Sequence, residues 1–298
     1  NKNLIKNVHF WKQTFIVFFT QLLKLYVVFQ LIWGLNYRGT NPAEQFNIPI
    51  TEHYSEAALD SLSLQLIHDL NTSRSKIEDQ ELQKAHLDSF IEQAIRDYAL
   101  ESEVYAQLTY RQPNIKMSLF PKWGDNFGYL AYYQPITAEA IIRADLPTLT
   151  QPFSICHEIA HQLGYASETE ANFIAFWVTN HSRLPIFNYS MQLQIFSYVQ
   201  NEQLMRVAKT GDFKKWESII TRNKQLLSAP VLEDRKQIRA FFIARQGKRI
   251  PGSEKMYDQF LQWNKQAKGM ASYDQVVDWV IAYYKKFPKT DSSTSYSR

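Results

Sequence analysis

Two histidines and a glutamate interrupt an otherwise apolar stretch, PFSICHEIAHQLG, between residues 152 and 164. Pro152 near its start and Gly164 at its end are the residues that open and close a helix. On that helix His157 and His161 lie one turn apart on one face, so both imidazoles reach a single metal ion, and Glu158 between them can contact its water. With 7 His and 16 Glu in 298 residues, chance supplies about 0.01 such patterns per chain, which disfavours coincidence. The flanking Ile155, Cys156, Ile159, Ala160 and Leu163 predict a buried helix. Buried polar groups need partners, and a metal satisfies two His and a Glu more readily than neighbouring side chains do. This segment therefore calls for a fold that wraps a core around a metal-binding helix.

A catalytic zinc site needs a third protein ligand and one open position. Gly164 allows a left-handed turn, after which Ser167 opens a second helix that can return a residue to the same metal. Glu168 and Glu170 both qualify. Ser167 and Glu170 have the spacing of a capping box, which already occupies Glu170, so Glu168 is the expected ligand and Glu170 the alternative. Asn172, four residues after Glu168, shares its helix face and would back the ligand with an amide. The next histidine, His181, lies at the far end of that helix. Cys156 reads as a small packing residue facing away from the metal, and His53, His68 and His86 as surface or packing residues. Tyr165, Tyr189, Tyr273 and Arg183 are each able to stabilise an oxyanion, but spacing places none of them at the metal.

From Thr14 to Leu35 sixteen of twenty-two residues are apolar or aromatic, and Lys24 is the only charge. That length can span a bilayer, with the cost of one central lysine, roughly 2.5 to 3.5 kcal/mol, offset by the apolar residues around it; the alternative is a buried core helix. No polar face and no small-residue cleavage site marks it as a soluble amphipathic helix or a cleaved leader. Lys2, Lys6 and Lys12 precede the run, and Arg38 followed by Glu44 comes after it. By the positive-inside rule the N-terminus is expected in the cytoplasm and, if this segment spans alone, the metal domain on the outer, periplasmic side of the inner membrane.

Residues 36–52 carry two prolines and a glycine and are expected to be a linker. Two helices follow, around Leu59 to Leu70 and Leu87 to Tyr98. Residues 127–144, aromatic and β-branched with a break at Gln134 to Ala138, predict a hairpin. Helical segments are then expected near 186–209, 213–228, 232–246, 254–266 and 272–286, followed by a polar tail. The parts are thus a basic, membrane-associated segment over 1–40, a metal-binding domain over 41–287 and a tail over 288–298. Only 9 Gly and 11 Pro argue against an all-β fold, and 45% hydrophobic content against a disordered chain. One cysteine excludes an internal disulfide. A net charge of +4 without a basic face argues against nucleic acid as a partner.

HEIAH, the following glycine and ETEAN together resemble the zinc core of gluzincin-type peptidases of the peptidase MA clan, in which the first Glu of an E-x-x-A-(N/D) helix is the third ligand. The resemblance thus implies Glu168. WGLNYR near 33, YYQPITAEA near 132, CHEIAHQLGYASETEANFIAF and SYDQVVDWVIAYY near 272 are similar to domain-of-unknown-function family 3810, a group of bacterial membrane-anchored proteins, over most of the chain. That family has further membrane segments upstream, so the chain reads as a piece of a longer protein, and Arg143-Ala144 stand where a more polar pair is usual. The implied fold is α+β, mainly helical and zincin-like, with a small sheet ahead of the HExxH helix. The implied activity is peptide hydrolysis with Zn2+ held by His157, His161 and Glu168 and with Glu158 as general base, on a peptide or protein substrate at the membrane. The competing readings are a non-catalytic binding or scaffolding protein that keeps this fold, and a membrane-tethered helical interaction domain without metal.

Overall fold

A computed structural model describes residues 2–39, 41–50, 54–127, 129–246 and 273–288. The chain opens with α1 (Lys2–Ile32), in which Phe10–Ile32 has a mean hydropathy of 2.0 and no buried residue. At 1.5 Å per residue those 23 residues measure about 35 Å, enough to cross a hydrocarbon layer of about 30 Å. The helix stops two residues before Gly34, and from Trp33 onward the chain belongs to the packed domain, with both residues buried.

The expected linker is instead part of the core. A 3-10 turn (Gly34–Arg38) and α2 (Pro42–Gln45) fold within it, and Asn41 caps α2 by accepting from the Ala43 amide at 2.9 Å. Ala43, Phe46 and Ile48 are buried, and Phe46 stacks on Trp177 with ring centroids 4.1 Å apart. Proline and glycine here shape tight turns that carry apolar side chains inward, so turn composition does not mean slack.

Next come α3 (Glu56–Arg74), capped by Ser55, the short α4 (Asp79–Lys84) and α5 (Leu87–Ser102). The sheet follows. β1 (Ile115–Met117) leads into α6 (Pro121–Phe127), and β2 (Ala131–Gln134) and β3 (Glu139–Ile142) form the expected hairpin. The strand order is β1-β3-β2, with β1 parallel and β2 antiparallel to β3, so β2 is an edge. Three-residue β1 and Gly-containing α6 carry too little periodicity to be seen in the sequence. β1 is held by its pairing with β3, and α6 by Arg143, 2% exposed, which donates to Asp125 at 2.7 Å and to Asp145 at 2.8 and 3.0 Å. A side chain at Gly124 would collide with that guanidinium, its Cβ meeting Nη1. Arg143, at a position where the resemblance expects a more polar pair, is thus a structural anchor.

The remaining helices are α7 (Gln151–Gln162), α8 (Glu168–His181), α9 (Pro185–Thr210), α10 (Phe213–Leu226), α11 (Ala229–Gln246) and α12 (Tyr273–Lys286). The expected helix at 254–266 and all but the first residue of the tail lie outside the described residues. The molecule is mainly helical with a small mixed sheet. Its centre is the α7–α8 pair, packed on by α5, α9, α12 and the sheet. Two hydrogen bonds fix α7 in that core: Tyr98 donates to the Cys156 carbonyl at 2.6 Å, and the Phe153 amide donates to Ser190 Oγ at 3.1 Å. At its other end Gln162 donates to the carbonyls of Asn114 and Ala138, both at 2.9 Å, which pins the hairpin beside the end of α7.

Candidate metal centre

His157 and His161 project from one face of α7 with ring centroids 4.7 Å apart, and Glu168 comes to them from the first turn of α8. Glu168 spans the pair: one carboxylate oxygen lies 3.2 Å from His157 Nε2 and the other 3.8 Å from His161 Nε2. The three residues offer ligand atoms all within 4.8 Å of one another. Ligands bound to zinc at 2.0 to 2.1 Å in a tetrahedron stand about 3.4 Å apart, so the two Glu168 separations are near the value of a zinc centre, and drawing all three ligand atoms in from within 4.8 Å would complete it.

The turn between the helices produces this convergence. Leu163 ends α7, and Gly164 takes φ +96°. The Gly164 amide donates to the His161 carbonyl at 3.0 Å and the Tyr165 amide to the Ala160 carbonyl at 3.2 Å, the double closure of a Schellman motif. That closure swings the Tyr165 carbonyl to 2.7 Å from His161 Nδ1. With the proton on Nδ1 donating to Tyr165, Nε2 keeps its lone pair for a metal, the arrangement that orients metal-binding histidines. Ser167 then caps α8: its Oγ accepts from the Glu170 amide, and Glu170 accepts from the Ser167 amide, both at 3.2 Å. Glu170 is held in the cap, and Glu168 is the carboxylate brought to the histidines.

Glu158 points into the protein at 5% exposure, and its Oε2 is buried without a hydrogen-bond partner. Burial pushes its pKa up to about 8, with Glu168 adding to the shift and His157 opposing it. Burial also pulls His161 down to about 4, helped by the charge of His157. For His157 burial pulls downward too, but the Glu168 carboxylate, Glu158 and the Asn172 side chain outweigh it, so the net shift is upward. Two imidazoles and a carboxylate whose ligand atoms converge are the donor set that a cation would satisfy, and the unpartnered Glu158 Oε2 belongs to the residue next to the first of them. The residues therefore fit zinc.

Asn172 is buried one turn beyond Glu168 and accepts from Tyr198 at 3.3 Å; its effect is felt at His157. Cys156 is fully buried with its thiol pushed well above its ordinary range by burial, in keeping with a packing role. Tyr165 and Tyr189 spend their hydroxyls on Gln45 and Asp234, both at 2.8 Å. Sequence reasoning missed Trp33, whose ring lies 6.0 Å from that of His161 and 4.8 Å from that of Tyr133 on β2. The signal available was an aromatic at the end of an apolar run, which reads equally well as the last residue of a membrane span.

The DUF3810 family model, described as a protein of unknown function, matches residues 1–281 of the chain. No curated protein and no solved structure matches it.

Proposed function

For this chain, which belongs to the DUF3810 family, we propose the function of a membrane-associated zinc metallopeptidase with a gluzincin-like centre in a zincin-like fold. The observation that carries this reading is the cluster of His157, His161 and Glu168 beside the buried, unpartnered Glu158. The first three would hold the ion, with the Tyr165 carbonyl fixing the ring of His161. Zinc, when bound, supplies a Lewis acid at which water is more acidic and a carbonyl more electrophilic. Glu158, buried and unpartnered, would be held ionised beside the bound cation. Glu158 then takes one proton from the attacking water as the oxygen bonds to the scissile carbonyl carbon. It returns that proton to the amine as the C–N bond breaks, leaving a carboxylic acid and a free amine. β2, an edge strand beside α7, offers unpaired main-chain groups along which an extended peptide aligns.

The excess of lysines ahead of the apolar helix supports anchoring in a bacterial inner membrane with this domain on the periplasmic side. Glu158 also separates the enzyme from a zinc-holding scaffold, since a carboxylate in that position is unnecessary for retaining the ion. The test is metal content and turnover measured on the same preparations. Wild type is expected to hold one zinc per chain and cut a mixed peptide library. Glu158→Gln should keep the zinc and lose about 100-fold or more of the hydrolysis. Zinc without turnover in both proteins would favour the scaffold, and no zinc after supplementation would overturn the reading.

A further inference from the structure

The apolar helix and the metal centre are joined without slack. Ile32 ends α1, and the next residue, Trp33, is 7% exposed and packed against Tyr133 and His161. A free linker over residues 36–52, the reading that composition suggests, would let the domain stand as far as about 55 Å from the membrane. Instead the docking begins one residue after the helix, and Ala43 and Phe46 continue it into the core. With about 3.8 Å between successive Cα atoms and 6.0 Å between the Trp33 and His161 rings, the metal ligand lies on the order of 15 Å from the end of the apolar helix.

The interfacial layer on each side of a bilayer is roughly 5 to 8 Å deep. A centre that close to the end of a spanning helix stands at most about 10 Å beyond the headgroups. The hairpin that lines it has an apolar tip: Ile136 is 75% exposed, three residues from Tyr133, in a turn that Gln162 holds through the Ala138 carbonyl. Ile136 is on the hairpin whose β2 packs through Tyr133 on Trp33, so its exposed side chain reports how near that hairpin comes to the bilayer.

We propose that the centre works at the bilayer surface, on the juxtamembrane stretches of membrane-embedded polypeptides. The inference rests on the peptidase reading and adds a substrate class to it. Trp33 fixes the working height: it transmits the position of α1 to the His161 face through a contact with no intervening loop. A polypeptide leaving the membrane beside α1 passes this height within its first few residues, whereas a site on a long stalk would miss it.

The test uses the full chain in nanodiscs of equal parts phosphatidylcholine and phosphatidylglycerol. The substrate is a single-span helix carrying a mixed-sequence decapeptide, placed either about five or about thirty Gly/Ser residues from the bilayer; the shorter spacer reaches about 17 Å at most. The short-spaced substrate is expected to be cut at least as fast as the long-spaced one, and both faster than the free decapeptide. Cutting of the long-spaced or free peptide while the short one is spared overturns the inference and leaves the peptidase reading standing. A second readout needs no turnover. Cys156 is the only cysteine and is fully buried, so Ile136→Cys takes a single fluorescent label. A headgroup-borne quencher should dim that label and spare one at Lys236→Cys, on an exposed face of α11. Equal responses at the two positions overturn the surface placement. If no substrate is cut in any format, the peptidase reading fails and the substrate class fails with it, while the quenching still decides where the centre sits.

Discussion

The candidate metal centre and the segment that ties it to the apolar helix are built in opposite ways. His157, Glu158, His161, Gly164, Ser167 and Glu168 lie within twelve consecutive residues, and each acts through a neighbour a few positions away: one helical turn, a Schellman closure, a capping box. Between Trp33 and Ile48 the aromatic anchors reach partners 100 or more positions distant, Trp33 on Tyr133 and His161, and Phe46 on Trp177 and Phe173. Local geometry writes itself into spacing. Distant packing leaves only composition, and the composition of this segment is that of a loop.

The sharpest way to break the contrast is to ask whether the centre really consists of its local set. Glu168→Gln is expected to lose stoichiometric zinc, with affinity falling by more than the 10 to 100-fold that removal of a supporting residue costs. Glu170→Gln should retain the metal, because that carboxylate is engaged in the helix cap. Equilibrium titration with a competing zinc chelator reads both. An equal loss in the two variants would mean that Glu170 takes part in holding the metal and is not confined to the cap.

The distant set makes its own prediction. Phe46 is 2% exposed and stacked on Trp177. Phe46→Ala should destabilise the protein by about 3 to 5 kcal/mol, the cost of emptying a buried aromatic site. In a true linker the same change would stay within about 0.5 kcal/mol. Denaturant unfolding of the full chain in mild detergent distinguishes the two values, and the smaller one would return residues 36–52 to the status of a linker.

These differences explain what could be read from the sequence. The hairpin was legible because Pro135 to Ala138 separate two short runs rich in aromatic and β-branched residues, and α7 and α8 because helix stops and caps use particular residues at particular offsets. β1 was not, since three residues show no period, and its place in the sheet comes from parallel pairing with β3 across more than twenty residues. Glu168 was favoured over Glu170 for a physical reason, the competing role of the cap, and the geometry supplies both halves of that reason. Trp33 was hidden by its position. At the edge of an apolar run a tryptophan has the same appearance whether it faces headgroups or a metal ligand. The apolar helix itself was legible, though displaced: expected over 14–35, its exposed apolar part is Phe10–Ile32, because Trp33 and Gly34 are claimed by the domain.

Gly164 links the two kinds of encoding and gives a smaller effect. At φ +96° an added Cβ would meet nothing closer than Asn36, at 3.6 Å, so there is room for the atom and the penalty lies in the backbone alone. Gly164→Ala should therefore cost roughly 1 to 2 kcal/mol of stability, the usual cost of an L-residue in left-handed geometry. If the turn holds despite that cost, the Tyr165 carbonyl stays on His161 and zinc affinity is unchanged. If the turn relaxes, His161 loses the acceptor at Nδ1 and affinity falls by about 10 to 100-fold. Measuring unfolding and zinc titration on one preparation decides between these outcomes. A variant with unchanged stability would show that the Schellman closure is not what aims the centre.

The smallest effect isolates the cap from the metal. Ser167 Oγ accepts the Glu170 amide at 3.2 Å, and the reciprocal bond from the Ser167 amide to Glu170 is of the same length. Ser167→Ala removes the first bond and leaves the second. An N-cap change of this kind costs about 1 kcal/mol, within a range of roughly 0.5 to 2. Because Glu168 is the first residue of α8, fraying of that turn would loosen its carboxylate at the same time. The second bond resists the fraying, as do Ala171 and Asn172, which are buried against the core one turn further on. The expected result is thus a fall in unfolding free energy of about 1 kcal/mol with zinc affinity changed by less than about threefold, since a loosened but present ligand costs less than an absent one. A loss of zinc as large as that of Glu168→Gln would mean that the aim of the third ligand depends on one hydroxyl, and the centre would then be far less robust than its local encoding suggests.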